Sequence, residues 1–117
     1  MIKDIDIVIY GATGFTGQLC VKYFQSLDLD IKWAIAGRNL SKLENVASNF
    51  STNVEILVAN SDDEKGLKDI CSRSKVVLST AGPFHRYGSK LVAACVESAS
   101  HYVDITGENF WVKGLIE

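Results

Sequence analysis

Proline is nearly missing from this chain, with Pro83 the one example among 117 residues. No Pro/Gly/Ser-rich linker, internal repeat or low-complexity tract breaks the sequence, so its length predicts a single domain. Cysteine is also sparse. Cys20, Cys71 and Cys95 are irregularly spaced and form no CxxC pair, which excludes a disulfide framework or zinc site and leaves three reduced core residues. An excess of basic charge is lacking too. Twelve Lys and Arg against fourteen Asp and Glu give a net charge of −2, no footprint for nucleic acid or an anionic membrane surface. No apolar run approaches the ~18–20 residues that cross a bilayer. The opening Met1-Ile2-Lys3-Asp4 is charged and leads straight into an apolar run, with no room for a signal peptide, so a cytoplasmic location is expected.

What is present is a core. The chain is 47% hydrophobic and 22% charged, the balance of a soluble globular fold. Its most informative stretch is Gly11-Ala12-Thr13-Gly14-Phe15-Thr16-Gly17, which follows the β-branched run Ile5–Tyr10 and precedes helix-forming residues. Strand, glycine loop and helix in that order read as a dinucleotide-binding loop. Gly11 is expected to turn the chain off the strand, Gly14 to let the backbone approach a pyrophosphate, and Gly17 to let the helix pack close to the sheet. The N–H groups and positive end of that helix then face the phosphates.

Strand-like and helical runs alternate along the rest of the chain. Strands are predicted at Ile5–Tyr10, Ile31–Ala36, Val54–Val58, Val76–Ser79 and Tyr102–Ile105. A first helix over Thr16–Leu27 is expected to bury Leu19, Cys20, Tyr23 and Phe24. A second spans Ser41–Phe50, with Ser41 and Glu44 forming a capping-box signature. A third, Asp63–Arg73, turns Leu67, Ile70 and Cys71 inward, and a fourth, Gly88–Ala99, buries Leu91, Val92, Cys95 and Val96. A last helix begins near Glu108. The alternation predicts an α/β fold, a Rossmann-type doubly wound parallel sheet in the order 3-2-1-4-5 with helices on both faces. Apolar residues at 111/112 and 115/116 then stop without a cap, so the chain is expected to be the front part of a longer enzyme whose C-terminal substrate domain is absent.

The second strand speaks to cofactor choice. An acidic residue at its tip would hold the ribose hydroxyls of NAD and repel a 2′-phosphate. Here the tip reads Ala36-Gly37-Arg38-Asn39 with no carboxylate, and Arg38 suits a phosphate through bidentate hydrogen bonds. Lys42 adds a second positive charge, and NADP(H) is favoured over NAD(H). The plain alternative is a solvated surface arginine. Asn60, with Ser61 and Asp62, follows the third strand where adenine edges are often met, although a turn and helix cap explain these residues equally well.

The loop after the fourth strand, Ser79-Thr80-Ala81-Gly82-Pro83-Phe84-His85-Arg86-Tyr87-Gly88, leaves the sheet beside the switch point where open α/β sheets bind ligands. Ala81 and Gly82 permit close approach of the nicotinamide half. His85 and Tyr87 are proton donors or simply pocket lining, and no catalytic residue is assigned. A Walker phosphate loop is excluded because Gly88-Ser89-Lys90 runs in the wrong order. The Tyr-x-x-x-Lys pair of short-chain dehydrogenases is absent, since Gly14, Leu27, Leu91 and Thr106 stand four residues after the tyrosines. Asp104 and Glu108 are acids near the carboxyl edge of the sheet, with loop anchoring and a helix N-terminus as their plainer roles.

Together, Gly11–Gly17, Ala36-Gly37-Arg38, Ala81-Gly82-Pro83-Phe84, Tyr87-Gly88, Leu91-Val92-Ala93-Ala94-Cys95 and His101-Tyr102-Val103-Asp104-Ile105-Thr106-Gly107-Glu108 resemble the saccharopine dehydrogenase-like oxidoreductases, which include trans-acting enoyl reductases. The resemblance implies an NAD(P)-binding domain followed by a larger domain that completes the site around a small-molecule substrate. Gly11, Ala12, Thr13, Gly14, Phe15, Thr16 and Gly17 would hold the pyrophosphate, Arg38, Asn39 and Lys42 the adenosine phosphate, Asn60 the adenine, and Ala81 and Gly82 the nicotinamide ribose. A homodimer is compatible with this reading. The other function classes left open are a sensor or regulatory module that binds the dinucleotide without turning it over, and a Rossmann-shaped domain with no nucleotide.

Overall fold

The structure, a computed structural model, describes residues 3–27, 30–50, 53–81, 88–104 and 109–116. Five strands, β1 (Ile5–Tyr10), β2 (Trp33–Gly37), β3 (Glu55–Val58), β4 (Ser74–Ser79) and β5 (His101–Asp104), alternate with helices. The helices are α1 (Phe15–Leu27), α2 (Leu40–Asn49), α3 (Glu64–Arg73), α4 (Ser89–Glu97) and α5 (Asn109–Ile116). Every strand pairing is parallel and the order is β3-β2-β1-β4-β5, as the alternation predicts. β1 is central, with Tyr10 opposite Ala36 on one side and Ser79 on the other, and Ser79 in turn opposite Asp104.

Each face of the sheet has its own core. On one face Ile9, Ile35 and Ala12 pack with Val21 of α1 and with Leu43 and Val46 of α2. On the other, Val8, Tyr10, Ala34 and Val77 pack with Leu67, Ile70 and Cys71 of α3 and with Leu91, Ala94 and Cys95 of α4. Strands covered on both faces are mostly apolar: β2 carries no charged residue, and the polar residues of β4, Ser74, Lys75 and Ser79, lie at its ends around Val76-Val77-Leu78. Burying one such aliphatic side chain is worth about 1.5–3 kcal/mol.

Several local expectations need correction. Leu19 and Tyr23 are 52% and 62% exposed, whereas Val21 and Gly17 of α1 are buried. The helix is rotated because Gly17 has to face the sheet, which brings positions 20, 21 and 24 inward and turns 19 and 23 out. Cys20 and Phe24 are half-buried against the core, Phe24 with its ring 5.7 Å from Trp33. In α4, Val96 is exposed, Val92 is half-buried and Ala94 takes the inner position.

The second helix is capped by Asn39, whose Oδ1 accepts from the Lys42 N–H at 3.0 Å, and not by a Ser41–Glu44 box. In α3 the cap is Asp63, accepting from the Gly66 N–H at 3.0 Å. β2 starts at Trp33 and not Ile31. β4 starts at Ser74, directly from the last residue of α3, because the Ser74 hydroxyl donates to the Ile70 carbonyl at 2.7 Å and turns the chain without a loop. α4 ends in a Schellman motif, with Ser100 N–H on the Cys95 carbonyl and Ala99 N–H on that of Val96. Ala99 occupies the usual glycine position at φ +54°. Gly82, His85, Tyr87, Ile105 and Glu108 lie outside the described residues.

Candidate dinucleotide-binding site

The loops leaving β1 and β4 meet at the carboxyl edge of the sheet, where the connections to β2 and β4 diverge from β1. Gly11 lies at φ +86°, and a Cβ there would stand 2.9 Å from the Ala81 nitrogen and 3.0 Å from Thr80 Oγ1. Left-handed backbone and this contact together demand glycine. Thr80 holds the junction from its own side: its hydroxyl lies 3.2 Å from the Tyr10 carbonyl and 3.0 Å from that of Gly11, and its N–H donates to Tyr10 at 2.9 Å. Sequence reasoning missed this role, for which a lone threonine gives no periodic signal.

The glycines divide their work. A Cβ on Gly17 would collide with the Gly11 carbonyl and stand 2.7 Å from Ala12 Cα, so close packing of α1 accounts for this residue. At Gly14 the nearest atom among the described residues to such a Cβ is the Gly11 carbonyl, an ordinary 3.6 Å away, and φ is not positive. Nothing among the described residues requires glycine there. The open space above Gly14 is what a pyrophosphate approaching the backbone needs.

Hydrogen bonding narrows which groups can meet a phosphate. The Gly11 and Ala12 N–H groups both donate to the Ala36 carbonyl, at 2.9 and 3.3 Å, and the Gly14 N–H donates back to Gly11 at 3.2 Å. The Ala12 side chain is fully buried in the core. Gln18 shapes the loop, donating through Nε2 to the Thr13 carbonyl at 2.9 Å. The donors without an intrahelical acceptor are the first-turn N–H groups of Phe15, Thr16 and Gly17. Phe15 itself is 82% exposed beside this opening.

Arg38 follows β2 and is exposed. Its charge acts on Tyr10, whose buried hydroxyl donates to the Ala59 carbonyl at 2.9 Å. Burial pushes the Tyr10 phenol up to about 12, and Arg38 pulls in the opposite direction while Asp62 and Asp63 reinforce the rise. The ends of β1, β2 and β3 thus converge on one corner. There Asn60 Oδ1 accepts from the Asp62 N–H at 3.2 Å, forming a turn. Lys90 Nζ lies 3.7 Å from Asp62 and offsets part of its negative charge. Asn39 spends its Oδ1 on capping α2, and Lys42 is exposed in the first turn of the same helix.

At the other half of the edge, Ala81 is half-buried against the core and abuts Gly11. The Tyr102 hydroxyl donates to Asp104 Oδ2 at 2.6 Å, and burial together with this carboxylate holds the phenol well above its usual range. A separate groove of about 410 Å³, lined by Ile5, Trp33, Val54 and Glu55, lies at the amino edge of the sheet, away from these loops. It shares no residue with the glycine loop. No helix among the described residues is long and apolar enough to cross a membrane.

A parallel sheet in this order, with a glycine-lined opening at the switch point, defines a nucleotide-binding Rossmann-type domain. More particularly, the model of the saccharopine dehydrogenase NADP binding domain matches residues 7–113, and the chain belongs to that family. The chain is 36% identical over 98% of its length to a trans-acting enoyl reductase of Mycobacterium leprae. It is 37% identical over 92% of its length to a lipid droplet localized protein of Caenorhabditis elegans. It spans 28% of the length of each of these relatives.

Among solved structures, apo saccharopine dehydrogenase (L-Glu forming) from Saccharomyces cerevisiae matches with a TM-score of 0.74 and 17% identity, over 95% of this chain and 24% of that one. A short-chain dehydrogenase/reductase from Veillonella parvula in complex with NADP matches with a TM-score of 0.69 and 16% identity, over 90% of this chain and 48% of the other. These two likenesses establish the shared fold.

Proposed function

We propose that this chain is the cofactor-binding domain of an NADP(H)-dependent oxidoreductase, with Arg38 reading the 2′-phosphate. The observation that carries this is the exposed guanidinium at the tip of β2, next to the corner formed by Tyr10, with no carboxylate on β2 itself. A guanidinium there gives a phosphate paired, charge-assisted hydrogen bonds, and Lys42 adds a second cation. The first turn of α1, with Thr13 and the open face of Gly14, holds the pyrophosphate. Asn60 borders the adenine, and Ala81 with Gly82 borders the nicotinamide ribose. The bound nicotinamide supplies the hydride, and the domain supplies orientation and electrostatics.

In this reading the small-molecule substrate is held mainly by polypeptide of the kind that the longer relatives carry. Reduction of an enoyl group is the reaction class taken over from the relatives' names, a homodimer is compatible with the domain, and three free thiols suit a reducing, cytoplasmic setting.

Separate titrations of NADPH and NADH into the protein, followed by thermal unfolding, test the reading. A ligand at 100 times its Kd stabilises by about 2.7 kcal/mol. NADPH is expected to raise the midpoint more than NADH. Arg38→Ala is expected to weaken NADPH by roughly 10-fold or more, the worth of a charged hydrogen bond, and to leave NADH nearly unchanged. Equal losses for both cofactors would show that Arg38 does not read the 2′-phosphate, and no shift with either would remove the cofactor assignment from these 117 residues.

A further inference from the structure

We propose that Cys71 and Cys95 form a dithiol modification site, which a disulfide-type oxidant converts into a disulfide joining α3 to α4. Their Sγ atoms lie 3.4 Å apart. Both residues are buried, at 0% and 1% exposure, on the face of the sheet where the two helices pack together. They stand 24 positions apart in sequence and come from different helices, so their meeting is a product of the tertiary fold.

The surroundings favour chemistry at this pair. At this separation either thiol can donate to the other, and Lys3 Nζ donates to the Cys71 carbonyl at 3.1 Å and to that of Ser74 at 3.2 Å. Lys3 also reaches Ser100 Oγ at 2.8 Å, tying the start of the chain to the end of α4 around the pair. The sulfur hydrogen bond, with the Lys3 ammonium assisting, favours the thiolate at Cys71, and burial opposes it. A thiolate is the attacking species in exchange.

The reaction balances with one molecule of oxidant, R–S–S–R. Cys71 gives up its proton, its sulfur attacks one sulfur of the oxidant, and R–S⁻ leaves and takes up that proton. Cys95 then gives up its proton and attacks the Cys71 sulfur, expelling the second R–S⁻, which is protonated in turn. The two cysteines lose two electrons and two protons, and the oxidant leaves as two R–SH. Because both thiols are buried, entry follows local opening of the α3–α4 contact. The closed loop contains all of β4 together with Thr80 and Ala81, the residues that brace Gly11.

The probe is oxidised glutathione, added to the folded protein, which is then denatured without reductant and alkylated. One alkylated thiol is expected, Cys20, with the peptides bearing Cys71 and Cys95 joined and lighter by two hydrogen atoms. The thermal midpoint is expected to rise by roughly several degrees and to fall back with dithiothreitol, since a cross-link constrains the unfolded chain. Cys71→Ser and Cys95→Ser are each expected to abolish both effects. Should either variant fail to fold, Cys20→Ser keeps both partners and is expected to show no alkylatable thiol after oxidation. Glutathione retained on Cys71 or Cys95, or both thiols still open to alkylation after prolonged exposure, would overturn the proposal.

Discussion

At the scale of single residues, the glycine loop separates stability from binding. Gly17 is required by the protein, since any Cβ there meets the backbone of Gly11 and Ala12. Among the described residues Gly14 has no such neighbour, only the Gly11 carbonyl at 3.6 Å. Gly17→Ala is therefore expected to cost about 2–3 kcal/mol, the scale of overpacking in a tight core. Gly14→Ala is expected to change stability by less than ~1 kcal/mol, as for a glycine replaced at a compatible backbone position. Thermal unfolding with and without NADPH checks the pair: Gly14→Ala should keep the unliganded midpoint and lose most of the NADPH shift, whereas Gly17→Ala should lower the midpoint itself. A full NADPH shift in Gly14→Ala would refute the approach of pyrophosphate at that residue. The spacing of the three glycines and a separate reason for each were legible in the sequence, and the structure adds the atoms that enforce Gly11 and Gly17. The enforcing atoms belong to Thr80 and Ala81, just past β4 and far away along the chain, at Gly11, and to the neighbouring Gly11 and Ala12 at Gly17.

At the scale of elements, alternation made the strands and helices legible, together with the inward face of α3 and half that of α4, while the inward face of α1 was not. In α1 the apolar residues Leu19, Cys20, Tyr23 and Phe24 span two adjacent stripes, and only the close approach at Gly17 decides between them. The α3–β4 junction was also hidden: the predicted helix ends at Arg73 and the predicted strand begins at Val76, whereas Ser74 turns its hydroxyl to Ile70 and begins β4 itself. The same junction carries an ionic clasp. Arg73 at the end of α3 pairs with Asp4 at 2.7 and 3.1 Å and with Glu55 at 2.6 and 2.9 Å, tying α3 to the entrances of β1 and β3. Hydrogen bonds from Arg73 hold the Asp4 and Glu55 carboxyl groups below their ordinary range. A carboxylate depressed in the folded state stabilises it above the unfolded pKa, and that contribution is lost as pH falls through the folded value. Arg73→Gln is thus expected to lower the thermal midpoint at pH 7 by roughly a few degrees, modest because the clasp is solvent-accessible. The gap between wild type and variant should begin to narrow below about pH 5 and close only once pH has fallen past the depressed folded values, where protonated carboxyls no longer attract the guanidinium. Unfolding curves across that range decide it; a gap of constant size would mean that Arg73 acts through packing alone.

At the scale of the whole molecule, one strand holds two cores together. β1 pairs with β2 and β4, sends Val8 and Tyr10 into the α3–α4 core, and sends Ile9 into the α1–α2 core. Neither core has a sheet of its own, and every parallel pairing joins strands separated by a helix in sequence. That arrangement predicts all-or-none unfolding, the usual behaviour of a single domain of this size. Trp33, packed on Phe24 in the α1–α2 core, reports on one face. Trp111→Phe would make it the sole tryptophan of the two in the chain. In that background Ile9→Ala is expected to cost about 2–5 kcal/mol, as for large-to-small changes in a packed core. Val8→Ala, on the far face from the probe, is expected to cost about 1.5–3 kcal/mol, comparable with the burial of its side chain. The informative comparison is between probes. For both variants the denaturant midpoint from Trp33 fluorescence should coincide with that from far-ultraviolet circular dichroism, since loss of either core removes the strand on which the other is built. If Val8→Ala left the Trp33 transition in place while the dichroism shifted, the two faces would unfold separately, and the glycine loop, anchored to β1 but shaped by α1, would keep its structure after α3 and α4 had gone.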